Sequence, residues 1–181
     1  MTQSLVITFI ARDRPGLIDR ISSTVAQAGG NWLESRMVRL AEQFAGIARI
    51  EMPKGDIAAL RKALDALNAE GFHVTLEDAA GPAAPAPKTG AGAGQAMALD
   101  LVGPDHPGIV REIAHCLAER GIDIEEMETD VRPAPMSGDA LFYARARVRM
   151  PANADARELS AALRDLGNTL MVDVALAPAG D

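Results

Sequence analysis

Two rhythms of apolar positions run along the chain, and their order is written twice. Leu5, Ile7 and Phe9 alternate with Val6, Thr8 and Ile10, which predicts a central strand apolar on both faces. After a turn at Asp13 to Gly16, Leu17, Ile21, Val25 and Ala28 recur at helical spacing, with Asp19, Arg20 and Gln27 off the stripe, and Gly29-Gly30 closes the helix. Strands are predicted over about 31–40 and 44–52; in the second, Ala48, Ile50 and Met52 alternate with Arg49 and Glu51, so the pair reads as a hairpin. Pro53 and Gly55 break it, and Asp56 is expected to cap a helix striped by Ile57, Leu60, Leu64 and Leu67. A last strand runs through Phe72, Val74 and Leu76. The order is βαββαβ.

The pattern then stops and restarts. Residues 79–95 hold Gly, Pro and Ala with no large apolar side chain, too little to order themselves, and read as a linker between a unit at 1–78 and another at 96–181. Met97, Leu99 and Leu101 predict a strand; Ile109, Ile113 and Leu117 a helix ended by Gly121; about 122–132 and 140–150 a second hairpin with a longer loop; Leu159, Leu163 and Leu166 a helix; and about 170–176 the closing strand. The fold class is α+β: two ferredoxin-like βαββαβ units with antiparallel sheets, helices on one face and right-handed crossovers. A core this small gains from pairing with its twin, so the units are expected to pack as a pseudo-dimer.

Both units carry an Asp-X-Pro-Gly turn between the first strand and the first helix: Asp13-Arg14-Pro15-Gly16 and Asp105-His106-Pro107-Gly108. Proline suits a first helical turn, where the N–H it lacks has no intrahelical partner, and glycine lets another molecule approach the backbone. Open N–H groups at a helix start favour a carboxylate, so two related anion-accepting sites are expected. Asp13 and Asp105 either cap their helices or take part in binding.

Composition narrows the function. With 181 residues, 48% hydrophobic content and a formal net charge of -7, the chain is globular and offers no basic field for a phosphate backbone. Arg145, Arg147 and Arg149 share one face of a strand, but Glu126, Glu128 and Asp130 alternate on its expected partner and neutralise that face. Cys116 is the sole cysteine and falls on an apolar helical position, which predicts packing and excludes an intramolecular disulfide. His73 and His115 read as structural. His106 has no companion ligands at metal spacing, so no metal or other cofactor is expected. The first residues lack a basic leader with an apolar core, and no run approaches roughly 20 apolar residues, so a cytoplasmic protein without membrane contact is expected.

The second turn and its flank, Gly103-Pro104-Asp105-His106-Pro107-Gly108-Ile109-Val110, resemble the ACT segment of formyltetrahydrofolate deformylases. The run Gly29-Gly30-Asn31-Trp32-Leu33-Glu34-Ser35-Arg36-Met37 with Glu42-Gln43-Phe44-Ala45-Gly46 is similar to the glycine cleavage system transcriptional repressor family, built of tandem ACT domains. The resemblance spans nearly the whole chain outside the linker and tail. It implies an amino-acid site where two ACT units pack side by side, formed by Asp13, Arg14, Pro15, Gly16 and Asn31 of the first unit and Asp105, His106, Pro107, Gly108 and Asp123 of the second. Turn N–H groups would receive the α-carboxylate, and Asp13 or Asn31 the ammonium. The copies differ, Arg14 against His106 and Asn31 against Asp123, so either one site binds or the two prefer different ligands. Trp32 either reports on that entry or packs between units.

The resemblance further implies a non-catalytic sensor of a small amino acid, glycine or serine first, that modulates transcription of glycine-cleavage genes. The acidity points to a protein partner such as a transcription regulator, with no direct nucleic-acid contact, and further association into a homo-oligomer is expected. The rival readings are a ligand-independent scaffold and an ACT regulator acting in trans on an amino-acid or one-carbon enzyme. Two such units leave no room for a catalytic domain, and no nucleophile elbow, P-loop or dinucleotide fingerprint occurs.

Overall fold

A computed structural model describes residues 2–79, 94–135 and 138–179. Contacts divide the chain into two units, Met1–Ala84 and Pro85–Asp181. Most of the expected linker, 80–93, lies outside the described residues.

The first unit runs β1 (Thr2–Arg12), α1 (Leu17–Gln27), β2 (Asn31–Leu40), β3 (Gln43–Pro53), a 3-10 turn (Lys54–Asp56), α2 (Ile57–Asn68) and β4 (Phe72–Asp78). Its sheet has the order β2-β3-β1-β4, with every neighbouring pair antiparallel. Side chains two apart on a strand share a face, so Leu5, Ile7 and Phe9 of β1 join Ile50 and Met52 of β3 on one side. The stripes Leu17, Ile21, Val25 and Leu60, Leu64, Leu67 pack onto that side to close the core.

The second unit repeats the plan with β5 (Gly94–Pro104), α3 (Ile109–Ala118), β6 (Asp123–Pro133), β7 (Ala140–Pro151), α4 (Ala156–Leu170) and β8 (Asp173–Pro178), in the order β6-β7-β5-β8. Leu99, Ile113, Leu117, Val148 and Leu159 form its core, and Cys116 packs there as expected. Glu126 stands opposite Arg147 and Glu128 opposite Arg145, in the register that neutralises the face. The ion pairs reach further than that ladder: Arg145 bonds Asp100 on β5 at 3.1 Å, and Arg149 bonds Glu125, at the β6 bulge, at 2.5 Å.

Three expectations are corrected. β1 is central, but its second face is not core: Ile10 is 40% exposed while Ile7 is fully buried, because helices cover one side only. Asp56 does not cap α2; its backbone is already helical at the end of the 3-10 turn, and its side chain makes no capping bond. Asp155 does cap α4, accepting from the Arg157 amide at 2.7 Å from an extended backbone. Finally, Leu170 belongs to α4 rather than to the closing strand. The helix ends at Met171, in the left-handed region at φ 56°, and the chain folds back so tightly that the Val172 amide donates to the Gly167 carbonyl at 2.9 Å.

Candidate functional site

Both Asp-X-Pro-Gly turns sit where the sequence places them, between the central strand and the first helix of each unit. Gly16 (φ 88°) and Gly108 (φ 102°) are the N-cap residues of α1 and α3, both left-handed and neither with a side-chain cap bond. A Cβ added at either would meet nothing within 4 Å, so glycine is required there by the backbone angle, not by crowding. Asp13 and Asp105 therefore do not cap their helices. Among the described residues neither helix start has a side-chain cap bond, which suits an anion.

Each turn is tied to its sheet and to the far end of the second helix. The Asp13 amide donates to the Glu42 carbonyl at 2.8 Å, and the Asp105 amide to the Ala140 carbonyl at 3.0 Å, so a hairpin end holds each turn. Arg14 Nη2 donates to the Glu70 carbonyl just beyond α2 at 3.1 Å, with its guanidinium over the Phe72 ring at 5.9 Å. His106 Nε2 lies 2.8 Å from the Leu170 carbonyl at the end of α4, and its Nδ1 lies 3.2 Å from the Pro107 carbonyl. Arg14 and His106 thus do the same work, clamping a helix C-terminus onto the turn. Sequence reading singled them out as ligand contacts and missed this role, since the partner carbonyls lie 56 and 64 residues away.

Carbonyls only accept, so both ring nitrogens of His106 can donate only in the imidazolium form. The Leu170 and Pro107 carbonyls accordingly raise its pKa above the ordinary 6.5, with Asp105 adding to the effect. A folded-state pKa above the unfolded value stabilises the unit at pH below about 6.5, and that contribution fades as pH rises through the raised value. In thermal melts His106→Gln is expected to flatten the pH dependence between pH 6 and 8 by removing this one titration, roughly the window in which histidine changes charge. An unchanged slope would remove His106 as its source.

The second turn opens onto a cleft of about 510 Å³ lined by Pro107, Gly108, Arg111, Glu112, Leu166, Thr169 and Leu170. Pro15 and Gly16 form the equivalent turn in the first unit.

The remaining candidates are not brought to these turns within either unit. Asn31 opens β2 opposite Glu51, which stands opposite Ser4, nine residues before Asp13. At a strand rise of ~3.3 Å per residue, Asn31 and Asp13 lie at opposite ends of the sheet, roughly 30 Å apart. Asp123 is displaced from Asp105 in the same way, through Arg149 and Ala96. Trp32, beside Asn31, packs against the core of its own unit. The register also reveals a residue that sequence reading missed: Arg39, near the end of β2, whose Nε lies 2.6 Å from Asp13 Oδ2.

Comparison with known proteins shows what this chain is similar to. Residues 3–76 match the ACT domain family. The glycine cleavage system transcriptional repressor of Escherichia coli (strain K12) is 26% identical over 164 residues, covering 90% of this chain and 83% of the relative. Among solved structures, an unknown protein from Galdieria sulphuraria matches with a TM-score of 0.80 and 29% identity, over 99% of this chain and 100% of the other. A structure provisionally assigned as a glycine cleavage system transcriptional repressor matches in fold with a TM-score of 0.68 and 19% identity, over 100% of this chain and 99% of the other. The first unit thus matches the ACT domain family, the second repeats its strand order, and the chain as a whole is similar to the glycine cleavage system transcriptional repressors.

Proposed function

We propose that the chain is a non-catalytic regulator that senses a small amino acid, glycine or serine first, and modulates transcription of glycine-cleavage genes through a protein partner. The observation that carries this reading is the pair of glycine N-caps with uncapped first-turn amides, each beside an aspartate. The amides suit an α-carboxylate, and Asp13 or Asp105 suits the ammonium. The resemblance adds Asn31 and Asp123, which lie at the far end of their own sheets from the turns. The net charge of -7 supports a protein partner over direct DNA contact. A signal would require the ligand to bind two arrangements of the units with different affinity.

Trp32 is the only tryptophan and adjoins Asn31, so its emission should change saturably on titration with the sensed amino acid. At ~100 times the dissociation constant the ligand should add about 2.7 kcal/mol of stability, read as a thermal shift. Asn31→Ala and Asp105→Ala should each weaken the response. Silence across all amino acids in both assays would overturn the sensor reading.

A scaffold reading draws on a different observation. On the uncovered face of the first sheet, Ile10, Ala45 and Val38 form one row beside Ile47, and Ile10, Val38 and Ile47 are all exposed. Partner capture that persists in Val38→Lys would argue against that face as its basis.

A further inference from the structure

The two turns differ in what already occupies the aspartate. Asp13 is 24% exposed at its side chain and is paired with Arg39, whose own side chain is 71% exposed and reaches in from β2. Other cations near the first turn are engaged elsewhere: Arg12 pairs with Glu42 at 3.5 Å, Arg14 with the Glu70 carbonyl, and Arg20 with the Glu70 carboxylate at 2.5 Å. The hairpin carrying Arg39 is strained at its tip. Ala41 (φ 47°) and Glu42 (φ 61°) are both left-handed without being glycine, a conformation that survives only where its surroundings over-determine it. Those surroundings are the turn itself, through the Asp13 amide on the Glu42 carbonyl and the Asp13–Arg39 and Arg12–Glu42 pairs.

Among the described residues the second unit lacks this arrangement. In the first sheet Arg39 stands opposite Phe44, which stands opposite Ala11, two residues before Asp13. At the same place in the second sheet Val131 stands opposite Phe142, which stands opposite Gly103, two residues before Asp105. Val131 is 49% exposed and carries no charge to offer Asp105; His106, whose charged form Asp105 favours, has both ring nitrogens on the Leu170 and Pro107 carbonyls and makes no hydrogen bond to it.

We propose that Arg39 is an internal stand-in for a ligand's ammonium at Asp13, so that the first turn is latched by its own chain while the second, with Val131 in that position, is open. A ligand ammonium must displace Arg39 to reach Asp13. Arg39 thereby sets the relative affinity of the two turns, and the inference rests on the amino-acid reading above.

The test follows the amides of Gly16 and Gly108 in the isotope-labelled full chain by NMR, with glycine as the probe and acetate, which has no ammonium, as the control. Arg39→Val should lower the glycine concentration that half-saturates the Gly16 shift by up to about fivefold, the ratio matching an exposed ion pair of about 1 kcal/mol, and leave Gly108 unchanged. Val131→Arg should raise the Gly108 midpoint and spare Gly16. Arg39→Lys, which keeps the charge, should behave nearly as the natural chain, and acetate should show no gain in Arg39→Val.

An unmoved or raised Gly16 midpoint in Arg39→Val overturns the latch, as does a gain seen equally with acetate. If the amides respond to glycine in the natural chain but Arg39→Val gains nothing, the latch alone falls. If neither amide responds to glycine in any variant, the latch and the proposal that the turns bind glycine fall together.

Discussion

Phe72→Ala is expected to cost the first unit about 3–5 kcal/mol, the range for removing a buried aromatic side chain. Phe72 is 1% exposed at the start of β4, among the largest fully buried side chains, and its ring also carries the Arg14 guanidinium. The loss therefore combines a cavity with a disturbed clamp on the turn. A small domain holds only about 5–15 kcal/mol in total, so much of the first unit's stability goes with that ring. The core of the second unit is a separate cluster that does not include Phe72. In urea, Trp32 emission, which reports the first unit, should then pass through its transition well before far-UV circular dichroism is complete. Coincident transitions would show that the two cores unfold as one cooperative body.

Gly103→Ala is expected to cost the second unit about 1–3 kcal/mol through overpacking. A Cβ at Gly103 would lie 2.7 Å from the Met171 carbonyl oxygen and 2.8 Å from Val172 Cα, backbone atoms that cannot turn aside as a side chain does. The same segment holds the tight end of α4, so the shift would reach the His106 contact with the Leu170 carbonyl. The register counterpart of Gly103 is Ala11, which the first unit accommodates at 4% exposure. Gly55→Ala is the control: a Cβ there meets nothing within 4 Å, and its effect should stay within about 0.5 kcal/mol. Equal melting curves for Gly103→Ala and the natural chain would show that the α4–β8 junction yields.

The elements were legible because each is written in a local code. The stripe Ile57, Leu60, Leu64 and Leu67 predicts α2, and the structure buries Leu60, Leu64 and Leu67 along it. Hairpin β2–β3 follows from alternation alone. Where reading failed, the deciding contact was non-local. Asp56 had the right residue type for a cap, yet the 3-10 turn that begins at Lys54, just after the extended Pro53, had already turned the backbone helical. Leu170 continued an apolar pattern into a predicted strand, but the Gly167 carbonyl drew the Val172 amide and carried the helix to its end.

The candidate site divides along the same line. Its two turns are visible in the chain because proline and glycine carry their backbone preferences wherever they stand. Sequence by itself determined the repeat, the strand–turn–helix entry of each unit, and the net charge of -7. Tertiary structure alone decided what those turns hold: Arg14 and His106 turned toward helix ends, Asp13 claimed by Arg39, and Asn31 at the opposite end of the sheet from Asp13. The physical reason is reach. Periodicity and turn chemistry are properties of neighbours within a few residues, whereas an ion pair or a helix-end carbonyl depends on strand register and helix length, which only the packed chain defines.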